Sequence, residues 1–181
     1  FLRAVTRLSW SEQGPSLVPE FLSRHGIVFV IEPHLPKTYL DGAALVDTES
    51  RPVVALTLRH DRIDNFWFTL LHELAHVALH LDGGAKAYFD DLDGSAAVDD
   101  VESEADSLAE EALIPEKAWR AAAARQSHLK ADVLALAREL DIHPAIVAGR
   151  IRHETGDFRK LARSFVNSGV VRRQLGVEVA A

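Results

Sequence analysis

The sequence contains neither cysteine nor methionine among its 181 residues. Without cysteine the chain cannot form a disulfide, and any metal ion must be held by histidine, aspartate or glutamate. The missing cysteine also agrees with a cytoplasmic location. Without methionine, Phe1 is not a natural translation start, so we expect further residues, and an upstream domain, before it.

Long apolar runs and a basic surplus are missing as well. No stretch approaches the roughly 18 uninterrupted apolar residues of a membrane span. The N-terminus lacks the basic and apolar regions of a signal peptide. A net charge of −7 and a pI near 5.7 argue against direct nucleic-acid binding by this segment. The hydrophobic fraction of 48% is that of a folded globular chain.

The residue pattern predicts a helix, three strands and then a series of helices. The predicted elements are a helix over 16–25, strands at 27–31, 43–46 and 53–58, a helix capped by Asp61 or Asp64 that runs to 81, a helix of about 13 residues capped by Asp99 or Asp100, and helices at 116–126, 128–140, 144–153 and 157–166 with caps at Ser127 and Asp157. Turn residues separate the strands as in a β-meander, and the Gly-, Ala- and Asp-rich segment 83–100 is typical of a loop.

These elements predict an α+β fold with two parts. A small three-stranded sheet packs on the helix at 65–81, and the C-terminal half is helical. We expect residues 1–126 to form the core and residues 127–181 to form a helical extension packed on it.

The helix at 65–81 contains the sequence His72-Glu73-Leu74-Ala75-His76. Histidines four residues apart project from one helix face, where both can reach one zinc ion at about 2.0–2.1 Å. Glu73 lies beside them as a candidate general base. The polar residues of this helix form one stripe without lysine or arginine, which predicts a buried helix with a cleft over the stripe. This stripe favours a metal site over the alternative of two ordinary core histidines.

A catalytic zinc usually has three protein ligands, so one more residue is needed. His80 lies one turn beyond His76, too far along the axis to share the metal. The next helix offers Glu102, which the helical wheel places among apolar residues, and Glu104, which lies outside that arc. Because a buried carboxylate needs a partner, we predict Glu102 as the ligand, with Glu104 as the alternative. Asp106 is predicted to accept the ring N–H of a metal-bound histidine.

Two segments, Phe68–His80 and Glu102–Pro115, carry a family resemblance. They are similar to the motifs of the ImmA/IrrE family of bacterial metallopeptidases, the second to its Glu-x-x-Ala-Asn/Asp helix. Leu108 departs from the family, in which an aromatic residue is common there. The resemblance implies a gluzincin-like fold with two histidines and one glutamate on zinc. It also implies that helix-turn-helix transcriptional repressors are cleaved, which derepresses stress, mobile-element or toxin–antitoxin genes.

Two further features remain open. Residues 134–151 resemble a helix-turn-helix with basic neighbours, but their apolar positions and Gly149 favour a packed helical lid over DNA contact. Tyr39, His60 and Tyr88 are candidates for polarising a substrate carbonyl or stabilising the oxyanion.

The sequence thus predicts a zinc-dependent endopeptidase. His72, His76 and Glu102 hold Zn²⁺, and Glu73 takes a proton from water and delivers it to the leaving amine. The strand at 53–58 is expected to offer its edge to an extended substrate. The alternative is a zinc-stabilised, non-catalytic module of a transcriptional regulator or antitoxin. Glu73 favours the enzyme, because a purely structural site does not need that carboxylate.

Substitutions on the second helix test the choice of ligand. We expect Glu102→Ala to lower zinc occupancy far more than Glu104→Ala, because only Glu102 lies on the buried arc. Asp106→Ala should fall between them, since an outer-shell partner contributes about 10–100-fold in metal affinity or activity. Metal analysis of the three purified variants gives the order. A site emptied by Glu104→Ala alone would show that the helix phase is wrong.

Overall fold

The computed structural model describes residues 1–32, 39–81, 87–89, 96–166 and 168–177, with the backbone alone at 87–89 and 96–99. The described elements are α1 (Leu2–Leu8), α2 (Gly14–Arg24), β1 (Val28–Ile31), β2 (Gly42–Val46), β3 (Pro52–Leu56), α3 (Ile63–Leu79), β4 (Ala87–Phe89), α4 (Ala96–Leu113), α5 (Glu116–Ala121), α6 (Ala124–Ser127), α7 (Lys130–Leu140), α8 (Pro144–Thr155), α9 (Ala162–Phe165) and α10 (Val170–Leu175). The predicted α+β class and the helical C-terminal half are confirmed. None of the described helices combines the length and the apolar character that a bilayer span requires.

The sheet has the strand order β1-β3-β2-β4, which differs from the predicted meander. β1 pairs with β3 in parallel, and β2 pairs with β3 and with β4 in antiparallel fashion. The turn residues mark where strands end, but they do not select pairing partners. Because β3 is paired on both sides, the prediction that it offers a free edge to a substrate is wrong.

A fourth strand, β4, joins the three that the sequence predicts. It lies inside the segment 83–100, for which the sequence indicates a loop. Residues 83–86 and 90–95 of that segment lie outside the described residues, and α4 begins at Ala96. Neither Asp99 nor Asp100 therefore caps α4. A strand of three residues is too short to show the alternation on which sequence reasoning depends.

Helix α3 runs through the centre of the molecule. Five of its large apolar side chains are almost fully buried, namely Phe66, Trp67, Leu70, Leu71 and Leu74, whereas Phe68 and Leu79 are exposed. It packs against β2 and β3 on one side and against α4 and α8 on the others. This is the environment expected of a helix that is apolar around most of its circumference.

The caps predicted for α3 are wrong, because both aspartates bind more distant partners. The N-cap residue is Arg62, without a side-chain cap. The carboxylate of Asp61 accepts the backbone N–H groups of Val171 and Arg172 at 3.0 and 3.3 Å, in the first turn of α10. The carboxylate of Asp64 lies inside the first turn of α3 and pairs with Arg152 of α8.

The C-terminal helices differ from the predicted ones at their ends. The predicted helix over 116–126 is split into α5 and α6, and of 157–166 only Ala162–Phe165 is helical. The cap residue of α7 is Leu129, whose N–H bonds to the hydroxyl of Ser127 at 3.1 Å. Asp157 accepts the N–H of Arg159 at 3.1 Å in a turn before α9. Local hydrogen bonds of this kind end or delay a helix whose composition would allow it to continue.

Helices α7 and α8 share the hydrophobic core of α3. Ile142, Ile146, Val147 and Ile151 are buried in the same cluster as Leu70. This core contains residues from before and after residue 126, so the apolar faces of α7 and α8 pack against the rest of the chain. The division into 1–126 and 127–181 stays a prediction.

Helix α8 is fixed at both ends by side chains. At its start, the ring of His143 accepts the N–H of Ala145 at 3.1 Å, and burial lowers the pKa of His143, which favours the neutral ring this bond requires. Near its end, Nη1 of Arg152 lies 2.6 Å from Oδ2 of Asp64, and both side chains are more than nine-tenths buried. Arg62 contacts the other carboxylate oxygen of Asp64 at 3.1 Å. This ion pair joins the first turn of α3 to α8.

Substitution of the buried pair should destabilise the fold. We expect Asp64→Ala or Arg152→Ala to lower the free energy of unfolding by about 3–5 kcal/mol, because the first leaves Arg152 buried without its carboxylate and the second leaves Asp64 with Arg62 alone. The double variant Asp64→Leu/Arg152→Met should lower the free energy of unfolding by less than the sum of the losses in the two single variants. Urea unfolding checks this, with the exposed Arg120→Ala as a control that changes stability far less. Single variants as stable as the parent chain would contradict the assigned role.

Candidate metal centre

Three side chains from two helices converge beside α3. Nε2 of His72 and Nε2 of His76 lie 3.0 Å apart. Oε2 of Glu102, from α4, lies 3.0 Å from Nε2 of His72 and 3.4 Å from Nε2 of His76. The structure thus brings together the three residues that the sequence nominates as ligands.

Small residues on α4 account for this convergence. Ala105 and Ala109 are fully buried and follow Glu102 at helical spacings of three and seven residues. Because alanine carries only a methyl group as its side chain, α4 packs closely against α3 at Ala105 and Ala109. Glu102 therefore reaches the histidines with its short side chain.

The spacing of the three atoms fits a tetrahedral metal ion. Zinc bonds of about 2.0–2.1 Å at tetrahedral angles require ligand atoms about 3.3–3.4 Å apart. The observed separations are 3.0, 3.0 and 3.4 Å. Two imidazole nitrogens and one carboxylate oxygen are also a donor set that zinc accepts. These residues therefore suit a zinc ion in both chemistry and size.

Asp106 occupies the outer side of His72. Its Oδ1 lies 2.9 Å from Nδ1 of His72, on the ring edge opposite the convergence point. A carboxylate in this position accepts the Nδ1–H and keeps the lone pair of Nε2 directed inward. The exposed fractions of the three acidic side chains are 25% for Glu102, 67% for Glu104 and 53% for Asp106. Glu102 is thus the most buried of the three, and it is more buried than Glu104, as the helical wheel predicts.

Glu73 is buried between α3 and the sheet. Its side chain is almost inaccessible to solvent, and it lies against Gly42 in β2. A Cβ atom at Gly42 would lie 2.8 Å from Cγ and 2.9 Å from Cδ of Glu73, closer than carbon atoms approach one another. Gly42 is therefore needed for the sheet to approach α3 here. The sequence marks Asp41-Gly42 only as a turn, and the close approach depends on which strand faces the helix.

A family model described as Peptidase_M78, the IrrE N-terminal-like domain, matches residues 22–152. The match includes both metal-site helices and ends within α8. The chain belongs to this family. The ImmA/IrrE resemblance indicated by the two sequence motifs is confirmed. No curated protein sequence matches the chain.

His80 contributes to the Peptidase_M78 site in a way that the sequence analysis missed. Its Nδ1 lies 3.0 Å from Nδ1 of His76, and its Nε2 lies 3.3 Å from Oε2 of Glu104. When Nε2 of His76 faces the metal, its Nδ1–H donates to His80, which in turn donates its Nε2–H to Glu104. The two candidate ligands His72 and His76 are therefore oriented by different groups. The repeated spacing of four from His72 to His80 was the available signal.

Of the three candidates for oxyanion stabilisation, Tyr39 and His60 are exposed, and only the backbone of Tyr88 is described. The side chain of Tyr39 is 76% exposed, and the guanidinium of Arg59 lies over its ring at 5.5 Å. His60 is exposed in the turn between β3 and α3. The backbone of Tyr88 belongs to β4, opposite Ala44, and its side chain lies outside the described residues. The oxyanion roles of these residues stay predictions.

Removal of His80 should weaken metal binding. We expect His80→Ala to raise the zinc dissociation constant about 10–100-fold, because His76 loses the acceptor that fixes its tautomer and ring orientation. His80→Gln, which keeps an acceptor, should restore part of the loss. Competition with a chromophoric chelator measures the constant, and Leu79→Ala on the exposed side of α3 is the matched control. Parental affinity in His80→Ala would show that this contact does not orient His76.

Proposed function

We propose that this chain is a zinc-dependent endopeptidase whose metal is held by His72, His76 and Glu102. The observation that carries the proposal is the buried carboxylate of Glu73, the residue that directly follows the candidate ligand His72 in the chain. A site that only stabilised the fold would not need it, since burial of a further carboxylate is unfavourable. Membership of the Peptidase_M78 family supports peptide hydrolysis as the reaction.

The chemistry divides between the metal and Glu73. When bound, zinc supplies Lewis acidity, which polarises a carbonyl group and makes water easier to deprotonate. Glu73 accepts the proton from the attacking water and later delivers it to the leaving amine. Gly42 confines the carboxylate of Glu73, so that it is held close to one position. Asp106 and His80 keep the two histidine rings oriented during the reaction.

The substrate is proposed to bind as an extended strand at β4. This strand pairs with β2, whose Gly42 lies against Glu73, and it forms the edge of the described sheet on that side. An added chain could pair with the backbone of β4 by β-augmentation, which gives affinity without requiring a particular sequence. The edge of β4 is proposed in place of the edge of β3, because β3 is paired on both sides.

The biological substrate is proposed to be a helix-turn-helix transcriptional repressor, as the ImmA/IrrE resemblance implies. Cleavage would derepress stress, mobile-element or toxin–antitoxin genes, and such a substrate places the reaction in the cytoplasm. Direct DNA binding by this chain is not part of the proposal. Two of the basic residues in the C-terminal part are paired within the chain, Arg150 with Glu116 and Arg152 with Asp64.

Glu73→Gln separates the enzyme from a non-catalytic zinc module. We expect this variant to keep its fold and zinc content and to cleave candidate repressors at least about 10²–10⁴-fold more slowly, because it removes the base and no ligand. Zinc analysis and the rate of cleavage by the zinc-loaded chain check this, with Glu139→Gln on the surface of α7 as control. Loss of zinc together with activity would contradict the assigned role. Equal rates for parent and variant would overturn the proposed mechanism.

A further inference from the structure

A cavity lies between α3, α4 and α8, beside the metal centre. Its volume is about 180 Å³. The α3 helix contributes Asn65 and Phe68, while Ile146 and Gly149 of α8 and Phe158 line it from the opposite side. The described residues around it are mostly apolar at the surface that faces the cavity. The mechanism described above makes no use of this space.

The cavity continues the groove that holds the ligands. Asn65, Phe68 and His72 follow one another at spacings of three and four residues, so they share one face of α3. The ring of Phe68 lies 6.1 Å from the imidazole of His72, measured between centroids. On α4, Glu110 lines the cavity one turn after Asp106, the residue that contacts His72. The cavity therefore lies about one helical turn from His72 along α3 and about two turns from Glu102 along α4.

The charged groups around the cavity are paired with one another or with nearby residues. Asp64 contacts Arg62 at 3.1 Å and Arg152 at 2.6 Å. Arg150 contacts Glu116 at 2.7 Å and Glu110 at 3.9 Å. Because these charges already have opposite partners, a charged occupant would gain little from them. An uncharged, apolar group is the occupant that the lining favours.

We propose that this cavity receives one apolar side chain of the protein substrate, of leucine or phenylalanine size, from a residue that flanks the scissile bond. The inference rests on the proposed endopeptidase function and adds a substrate class to it. An apolar cavity of about 150 Å³ holds a benzene molecule, so the volume here accommodates an isobutyl or benzyl group. Gly149 of α8 lines the cavity and approaches α3 closely, since an added Cβ atom would lie 3.0 Å from the Cβ of Asp64.

Cleavage of a proteome-derived peptide library by the zinc-loaded chain tests the assignment. We expect one position beside the cleaved bond to favour Leu or Phe over Ala by at least about tenfold, since one methylene in an apolar pocket changes discrimination about 10–200-fold. Asn65→Phe fills the cavity from α3 and should abolish the preference at that position alone. Trp10→Ala, an exposed aromatic residue elsewhere on the surface, is the control and should keep it.

Binding to an inactive chain separates recognition from turnover. For this test we choose an intact library peptide that the parent chain cleaves and that has Leu at the preferred position. This peptide and its Ala counterpart are titrated onto zinc-loaded Glu73→Gln with and without Asn65→Phe. The Leu peptide should bind more tightly only when Asn65 is present, and equal zinc affinity of both chains shows that the metal site is intact. Hydrolysis with an unchanged position preference in Asn65→Phe would overturn the cavity assignment and leave the proposed function standing. Absence of hydrolysis by every metal-loaded chain would overturn the proposed function and, with it, the assignment of a substrate to the cavity.

Discussion

The close packing of α3 against α4 is the contact on which the metal centre depends. Two of the three ligand atoms come from one helix and can be read from a spacing of four residues. The third ligand atom, Oε2 of Glu102, belongs to α4. It lies 3.0 Å from Nε2 of His72 only because Ala105 and Ala109 allow the two helices to pack closely. The same approach brings Asp106 to the outer edge of that ring. Packing of small apolar residues thus determines where the polar groups meet.

The other sides of α3 are fixed by equally specific contacts. Gly42 allows β2 to lie directly on Glu73, and the buried pair of Asp64 and Arg152 attaches the first turn to α8. At the end of α3, His80 contacts His76 and also Glu104 of α4. A helix restrained in this way presents His72 and His76 in one geometry, and such preorganisation suits the proposed metal site.

Sequence reasoning failed at the sheet and at the start of α3 for a common reason. Each of these errors concerned a group whose partner is distant in the chain. β3 pairs with β1 in parallel across the sheet, and Asp61 caps α10, about 110 residues away, in place of α3. Local patterns of turn and cap residues describe what a segment can do. They do not identify which of several partners within the folded chain it meets.

The sequence by itself nominated the groups of the candidate metal centre. A spacing of four residues places His72 and His76 on one helix face, the absence of cysteine restricts the remaining ligands to histidine and carboxylates, and the helical wheel separates Glu102 from Glu104. Only the tertiary structure decided that His80 supports His76, that Gly42 contacts Glu73 and that an apolar cavity adjoins the site. The first set depends on periodicity within one helix, which is fixed by backbone geometry. The second depends on distances between elements, which arise when the whole core packs.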